Sequence, residues 1–308
     1  MSDPGRVVEI HAATPAAAAC ATVLDREGVS VRIIDSEPRT VGLAAVSREL
    51  LSELGLDGSR LGKPVETIID RTLAEDDAMD KVREPGSVSL VDRLEIVESL
   101  TSGIERATDV ENESRAFSIG AGEFRLGDPD LLDDGILPHE KTLECILLDW
   151  DGARIDRASC FRLTGEGLAD VDATASILTS HGQTSLILTV PMASIVETSI
   201  SVVDVLARLL AHSSVRNMVP EMEPRTASTR LMRTGEPVHI TLRGGVRVRI
   251  GAAAGLADPV RLDRELRSGT VAAEQIAQAV TVGRLTLARL SRIGRVWSAI
   301  ESDQPVSS

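Results

Sequence analysis

Between Arg6 and Asp35 the chain is written as strand, turn, helix and strand with no residue to spare. Arg6-Val7-Val8-Glu9-Ile10 reads as a strand, His11 to Ala17 as a small-residue turn, Ala18 to Glu27 as an Ala-rich helix, and Gly28 as its terminator. Val29 to Ile34 is a second strand and ends on Asp35. A helix this short, joining two strands this apolar, leaves the strands parallel neighbours. The acidic residue falls about twenty positions after the turn, where a βαβ dinucleotide-binding unit needs an acceptor for a ribose hydroxyl.

The turn lacks the glycines such a unit normally carries. Against the pattern G-A-G-P-A-G, Ala12, Thr14 and Ala17 occupy the three glycine positions, Ala13, Pro15 and Ala16 fall on the others, and Asp35 is in register. The glycines make the tight turn, admit the pyrophosphate and let the helix pack on the strand. Ala17 adds only a methyl, but Thr14 sets a β-branched side chain where a phosphate would lie.

Bulk properties narrow the class. The 308 residues suffice for one large α/β domain or two modest ones. A net charge of −14 argues against a nucleic-acid partner or an anionic membrane surface. Cys20, Cys145 and Cys160 are far apart, form no C-x-x-C and read as buried free thiols. No run of apolar residues is long enough for a transmembrane segment, and no basic-flanked leader precedes the first strand, so the chain reads as cytoplasmic. His11 reads as a strand-end side chain, and His139, His181, His212 and His239 lack metal spacing. No catalytic residue emerges.

Further along, the pattern predicts a helix over 43–54 with Val46, Leu50, Leu51 and Leu54 inward, short strands within 64–91, and a helix over 92–107. The acidic, Gly-rich stretch 111–139 reads as a surface loop, with hints of strands near Phe117–Ile119 and Glu123–Leu126. Leu143 to Leu148 is nearly continuously apolar, as in a strand covered on both faces, and the parallel sheet is its expected place. Strands are expected near 173–178 and over 184–190, and Ser201 with Asp204 predicts a capped helix over 202–212. Residues 238–242 and 246–250 read as a hairpin, followed by helices over 260–280 and 284–300 and a tail, 301–308.

The stretch Arg249-Ile250-Gly251-Ala252-Ala253-Ala254-Gly255-Leu256-Ala257-Asp258-Pro259 resembles the G-D-A-A-G-F-V-D-P segment of flavin-dependent geranylgeranyl reductases and of electron-transfer-flavoprotein:quinone oxidoreductase (FixC-like) dehydrogenases. Leu266-Arg267-Ser268-Gly269 to Glu274 is similar to that family's next helix, L-R-S-G-R-L-A-A-E. Ile146 to Asp151-Gly152 resembles its strand ending in A-D-G, and Arg93 matches the arginine that opens its first helix after the sheet.

The resemblance implies FAD, with Ala12, Ala13, Thr14, Asp35, Arg93, Asp151, Gly251 and Ala252 at the cofactor positions. It also marks losses. Family members place Asp where this chain has Ala252, and carry a T-G-E-G-like stretch facing the flavin ring where this chain runs Val260 to Leu266, about three residues shorter and without glycine. Losing a charged acceptor costs about 1.5–3 kcal/mol, and a crowded phosphate turn about 1–3 kcal/mol.

The expected fold is a Rossmann-like α/β domain of the glutathione-reductase type from 1–62, 92–160 and 243–300, with a smaller, mainly antiparallel sheet domain from 63–91 and 161–242 in the substrate position. Two functions are open. One is an FAD-dependent oxidoreductase, whose implied partners are an electron-transfer flavoprotein or a ferredoxin. The other is a non-catalytic homologue serving as subunit or regulator of an intact flavoprotein paralogue.

Overall fold

The computed structural model describes residues 7–34, 41–74, 78–83, 86–107, 115–120, 142–165, 167–180, 182–233, 240–241, 247–254 and 258–282. Strands β1 (Val7–His11) and β2 (Val31–Ile34) flank helix α1 (Pro15–Arg26) and pair in parallel, with Val8 beside Val31 and Ile10 beside Ile33. The βαβ unit therefore forms as its sequence predicts.

The rest of the first third departs from expectation at two places. Leu43–Ser47 is a strand, β3, and the helix is confined to α2 (Arg48–Glu53), whose first turn Ser47 caps through the Leu50 N–H. The helical spacing of Val46, Leu50, Leu51 and Leu54 is real burial, but Val46 enters the core from a strand. After α3 (Gly58–Leu61) come β4 (Gly62–Pro64), β5 (Thr67–Leu73), β6 (Ala78–Arg83) and β7 (Val88–Asp92), then α4 (Arg93–Leu100). The helix expected to reach 107 stops at Leu100. Gly103 takes a positive φ of 91° that reverses the chain into edge strand β8 (Glu105–Ala107).

The remaining elements are β9 (Arg115–Gly120), β10 (Thr142–Trp150), β11 (Ser159–Gly165), β12 (Thr174–Ser180), β13 (Gln183–Pro191), α5 (Met192–Thr198), α6 (Val202–Ala211), α7 (Ser213–Arg216), β14 (Thr226–Arg233), β15 (Ile240–Thr241), β16 (Arg247–Arg249) and α8 (Asp263–Val282). They assemble with the earlier strands into three sheets, ordered β15-β16-β9-β1-β2-β8, β14-β10-β13-β12-β11-β5-β6 and β3-β7-β4. The first is parallel apart from β15, and the second is antiparallel apart from the β5–β11 pair.

The strand beside β1 in the parallel sheet is β9, not the apolar run at Leu143–Leu148. That run is β10, paired antiparallel with β13 and β14. Its continuous hydrophobicity has a different cause from parallel pairing. Ile146, Leu148 and Trp150 pack under α6, while Cys145 and Leu147 pack toward β3 and β7, so both faces are covered within an antiparallel sheet.

Several readings hold. Ser201 and Asp204 make the reciprocal capping box of α6, β15 and β16 pair antiparallel as hairpin arms, and α8 starts three residues after the expected 260. Asp35, the strand hinted at 123–126, the helix over 284–300 and the tail 301–308 lie outside the described residues. Among the described residues no helix is long and apolar enough to cross a membrane.

The first core lies between the parallel sheet and α1, α4 and α8. Val8, Ile10, Ile33, Ile119 and Val248 meet the alanines of α1 and Leu266, Ala272 and Ile276 of α8. The helices approach very closely: a β-carbon added to Gly269 would stand 2.2 Å from the Ala16 carbonyl oxygen. This contact explains the glycine of the L-R-S-G stretch and brings the start of α8 against the turn after β1. The opposite face of the sheet carries charge, with Glu9 buried and directly in register with Arg32.

Candidate cofactor site

The turn after β1 keeps the shape that glycine usually supplies. Ala12 takes a φ of 87°, strained for a residue with a β-carbon, and its N–H donates to the Ile34 carbonyl at 2.9 Å. Ala13 and Thr14 follow, and Thr14 is the N-cap of α1. Its hydroxyl accepts the Ala17 N–H at 3.3 Å, and Pro15 behind it has no N–H to offer. The exposures of Ala12, Ala13 and Thr14 are 1%, 4% and 5%, so the helix N-terminus is capped from within and closed to solvent.

Gly251 and Ala252 are brought to this turn. Gly251 has a φ of 55°, and a β-carbon there would lie 2.6 Å from that of Ala16. The Gly251 N–H donates to the Ser268 hydroxyl at 2.8 Å, and Ala252 beside it has no acceptor to present. Arg93 opens α4, with its N–H on the Gly42 carbonyl at 3.0 Å. Its guanidinium is buried, donates to the carbonyls of Pro259 at 2.7 Å and Asp258 at 3.4 Å, and lies 3.8 Å from Glu265, itself buried on α8.

The segment joining Asp258 to α8 decides how much room is left. The Asp258 carboxylate accepts the N–H groups of Val260 and Arg261 at 2.8 and 2.9 Å, which fixes the bend. The chain then runs beside β3. The Ala45 N–H donates to the Val260 carbonyl at 2.8 Å, and the Leu262 N–H donates to the Ala45 carbonyl at 3.0 Å, a parallel bridge between Ala45 and Arg261. Asp263 adds a third tie by accepting the Ser47 N–H at 2.9 Å.

The predicted residues therefore divide. Ala12, Ala13, Thr14, Gly251, Ala252 and Arg93 lie around the adjoining starts of α1, α4 and α8, while Asp35 is outside the described residues. Asp151 belongs elsewhere: it follows β10 in the antiparallel sheet, is 66% exposed, and pairs with Arg225 at 2.8 Å. The residue level with His11 in the strand beside β1 is Gly120. Sequence reasoning missed Gly120, Gly42, Pro259 and Glu265. The first had a weak signal in the strand hint Phe117-Ser118-Ile119 ending on glycine, and the carbonyls of Gly42 and Pro259 had none. His11 stands 3.9 Å from Glu9. The three cysteines are buried and free, with burial pushing Cys20 up and Cys160 up to about 11. Among the described residues no group of His, Cys, Asp and Glu could hold a metal.

A flavin dinucleotide asks this region for open amides at α1, an acidic acceptor after Gly251 and free backbone before α8. Thr14 takes the Ala17 amide, the second is the methyl of Ala252, and of the third the Val260 carbonyl and Leu262 N–H are paired with Ala45. At these three points the described residues do not fit the group.

Comparison with known proteins gives the fold an independent footing. No family model matches the chain, and no curated protein matches it in sequence. Solved structures do. A geranylgeranyl bacteriochlorophyll reductase-like protein from Thermoplasma acidophilum superposes with a TM-score of 0.71 at 14% identity, covering 96% of this chain and 87% of its own. A flavin-dependent brominase gives 0.69 at 16%, over 95% and 83%. A flavoprotein/dehydrogenase from Cytophaga hutchinsonii gives 0.65 at 13%, over 97% and 84%. At these identities the likeness concerns architecture alone, and the conclusion is that this chain has the mixed parallel and antiparallel α/β fold of the Rossmann-like, FAD-binding flavoproteins.

Proposed function

We propose that this chain keeps the flavoprotein scaffold without the flavin and acts as a non-catalytic subunit or regulator of an intact flavoprotein paralogue. The observation that carries the reading is the backbone clasp between Ala45 and Val260–Leu262. In the family that the sequence resembles, backbone at this point faces the flavin ring. Here the Val260 carbonyl and the Leu262 N–H are spent on β3, so a ring has neither the donors nor the gap. Opening the clasp would break two backbone hydrogen bonds and the Asp263–Ser47 tie, each worth about 0.5–1.5 kcal/mol. The capped α1 terminus and the inward Arg93 support the same reading.

A second reading, a weakly binding FAD-dependent oxidoreductase served by an electron-transfer flavoprotein or ferredoxin, is favoured by one observation. Ala12 holds the backbone shape of a phosphate turn at a cost in strain.

Purified protein titrated with FAD separates the two. The proposal expects a colourless preparation that acquires no protein-bound flavin band at micromolar FAD. A yellow preparation with stoichiometric flavin that survives dialysis would refute it.

A further inference from the structure

A cavity of about 680 Å³ lies between α3, the first turns of α4 and the edge of the β3-β7-β4 sheet on one side and the β12–β13 turn on the other, with Val41, Leu43, Asp92 and Leu94, the chain neighbours of Gly42 and Arg93, in its lining. Leu43, Leu90 and Leu94 give it an apolar wall. Its floor is a closed polar network. The Gln183 amide N–H₂ donates to Asp92 at 3.0 Å and to Asp149 at 3.2 Å, and Arg225 bridges Asp149 at 2.5 Å and Asp151 at 2.8 Å. Asp92 also caps α4 through the Leu94 N–H at 2.7 Å.

Four charged groups facing the cavity, Arg60, Lys63, Glu95 and Glu98, stand outside this network. Lys63 sits directly across from Leu90 in the β4–β7 pair, and Glu95 lies on the first turn of α4. Neither Lys63 nor Glu95 makes an ion pair or a side-chain hydrogen bond among the described residues, whereas Arg60 lies 3.4 Å from Asp57. Partial burial, with Asp92 and Glu98 nearby, pushes the Glu95 carboxyl above its ordinary value. The protein thus holds one carboxylate where its own charges disfavour it and one ammonium without a counter-ion, at the rim of an apolar wall.

We propose that this cavity binds a small zwitterion with an apolar body, of the amino-acid class, its ammonium meeting Glu95, its carboxylate meeting Lys63 and its chain lying on Leu43, Leu90 and Leu94. The volume falls in the range of ordinary small-molecule sites. None of Ala12, Thr14, Arg93, Gly251 and Ala252 lines the cavity, so its titration is read separately from that with FAD.

Calorimetric titration with ε-aminocaproate, caproate and hexylamine tests it. The zwitterion should bind, and each single-charge analogue should bind about tenfold more weakly, the loss of one charged hydrogen bond. Lys63→Met should lower ε-aminocaproate binding to the level of hexylamine, and Glu95→Gln to the level of caproate. Both side chains are exposed, so both variants should fold as the parent does. The proposal is overturned if the three probes bind equally, if none binds, or if either variant binds ε-aminocaproate as the parent does.

Discussion

Replacing Gly269 by alanine tests the helix contact that places the start of α8 against the turn after β1. The added β-carbon would stand 2.2 Å from the Ala16 oxygen and 3.1 Å from both the Ala16 carbonyl carbon and the Cys20 nitrogen. All three are backbone atoms of α1, which cannot rotate aside, so the helices must part by about 1 Å to restore ordinary contact. Overpacking of this kind costs about 1–3 kcal/mol, and the rigid neighbours put it near the top of that range. Alanine gains about 1 kcal/mol in helix propensity over glycine, leaving a net loss of about 2 kcal/mol. With an unfolding entropy of about 2.1 cal/mol/K per residue over 308 residues, that loss lowers Tm by about 3 °C. Thermal melts and urea unfolding of Gly269→Ala, beside Arg267→Ala on the exposed side of α8, provide the measurement. A Gly269→Ala variant as stable as the parent would mean that α1 and α8 are not in close contact, and the placement of Gly251 against Ala16 would fall with it.

Removing the capping box of α6 by Ser201→Ala should cost about 1 kcal/mol, read as a lower urea midpoint with an unchanged slope. Arg71 hydrogen-bonds Asp80 and holds its carboxyl below the ordinary value. The stability this pair supplies is present above the ordinary carboxylate range and is lost as pH falls toward the depressed folded value. Asp80→Asn should therefore flatten the acid limb of the stability curve, modestly because the carboxylate is 35% exposed. Glu95 has the opposite sign: its raised folded value makes its contribution most favourable at low pH, with that benefit lost as pH rises from the ordinary to the raised value. Glu95→Gln should be slightly more stable than the parent at neutral pH and indistinguishable from it below the carboxylate range.

The βαβ opening was legible because its signals are local: alternation, an Ala-rich helix and a terminating glycine all act within a few residues. The approach of Gly251 to the turn was legible only through resemblance, since hundreds of residues of chain separate the parts. The misplacement of Leu143–Leu148 has a clear origin. Continuous hydrophobicity reports that both faces are covered, and an antiparallel strand between α6 and the β3-β7-β4 sheet meets that condition as well as a parallel one does. The strand hinted near Phe117–Ile119 is β9, and what its acidic, Gly-rich surroundings did not suggest is its place between β1 and β16. The spacing predicts helix over Leu43–Ser47 because a three- and four-residue interval is indifferent to whether Val46 arrives from a strand. The partners of Arg93 include two backbone carbonyls, and carbonyls leave no trace in residue type.

The Ala45 clasp has a consequence for the history of such a chain. Its hydrogen bonds run from main chain to main chain, so no single side-chain reversion undoes them. Glycine at 12 and 14 and aspartate at 252 would rebuild a phosphate turn in front of a shut door, and only inserted residues between Pro259 and Asp263 would slacken the strand. On the proposed reading, a pocket held shut by main-chain pairing is one that point substitution does not reopen.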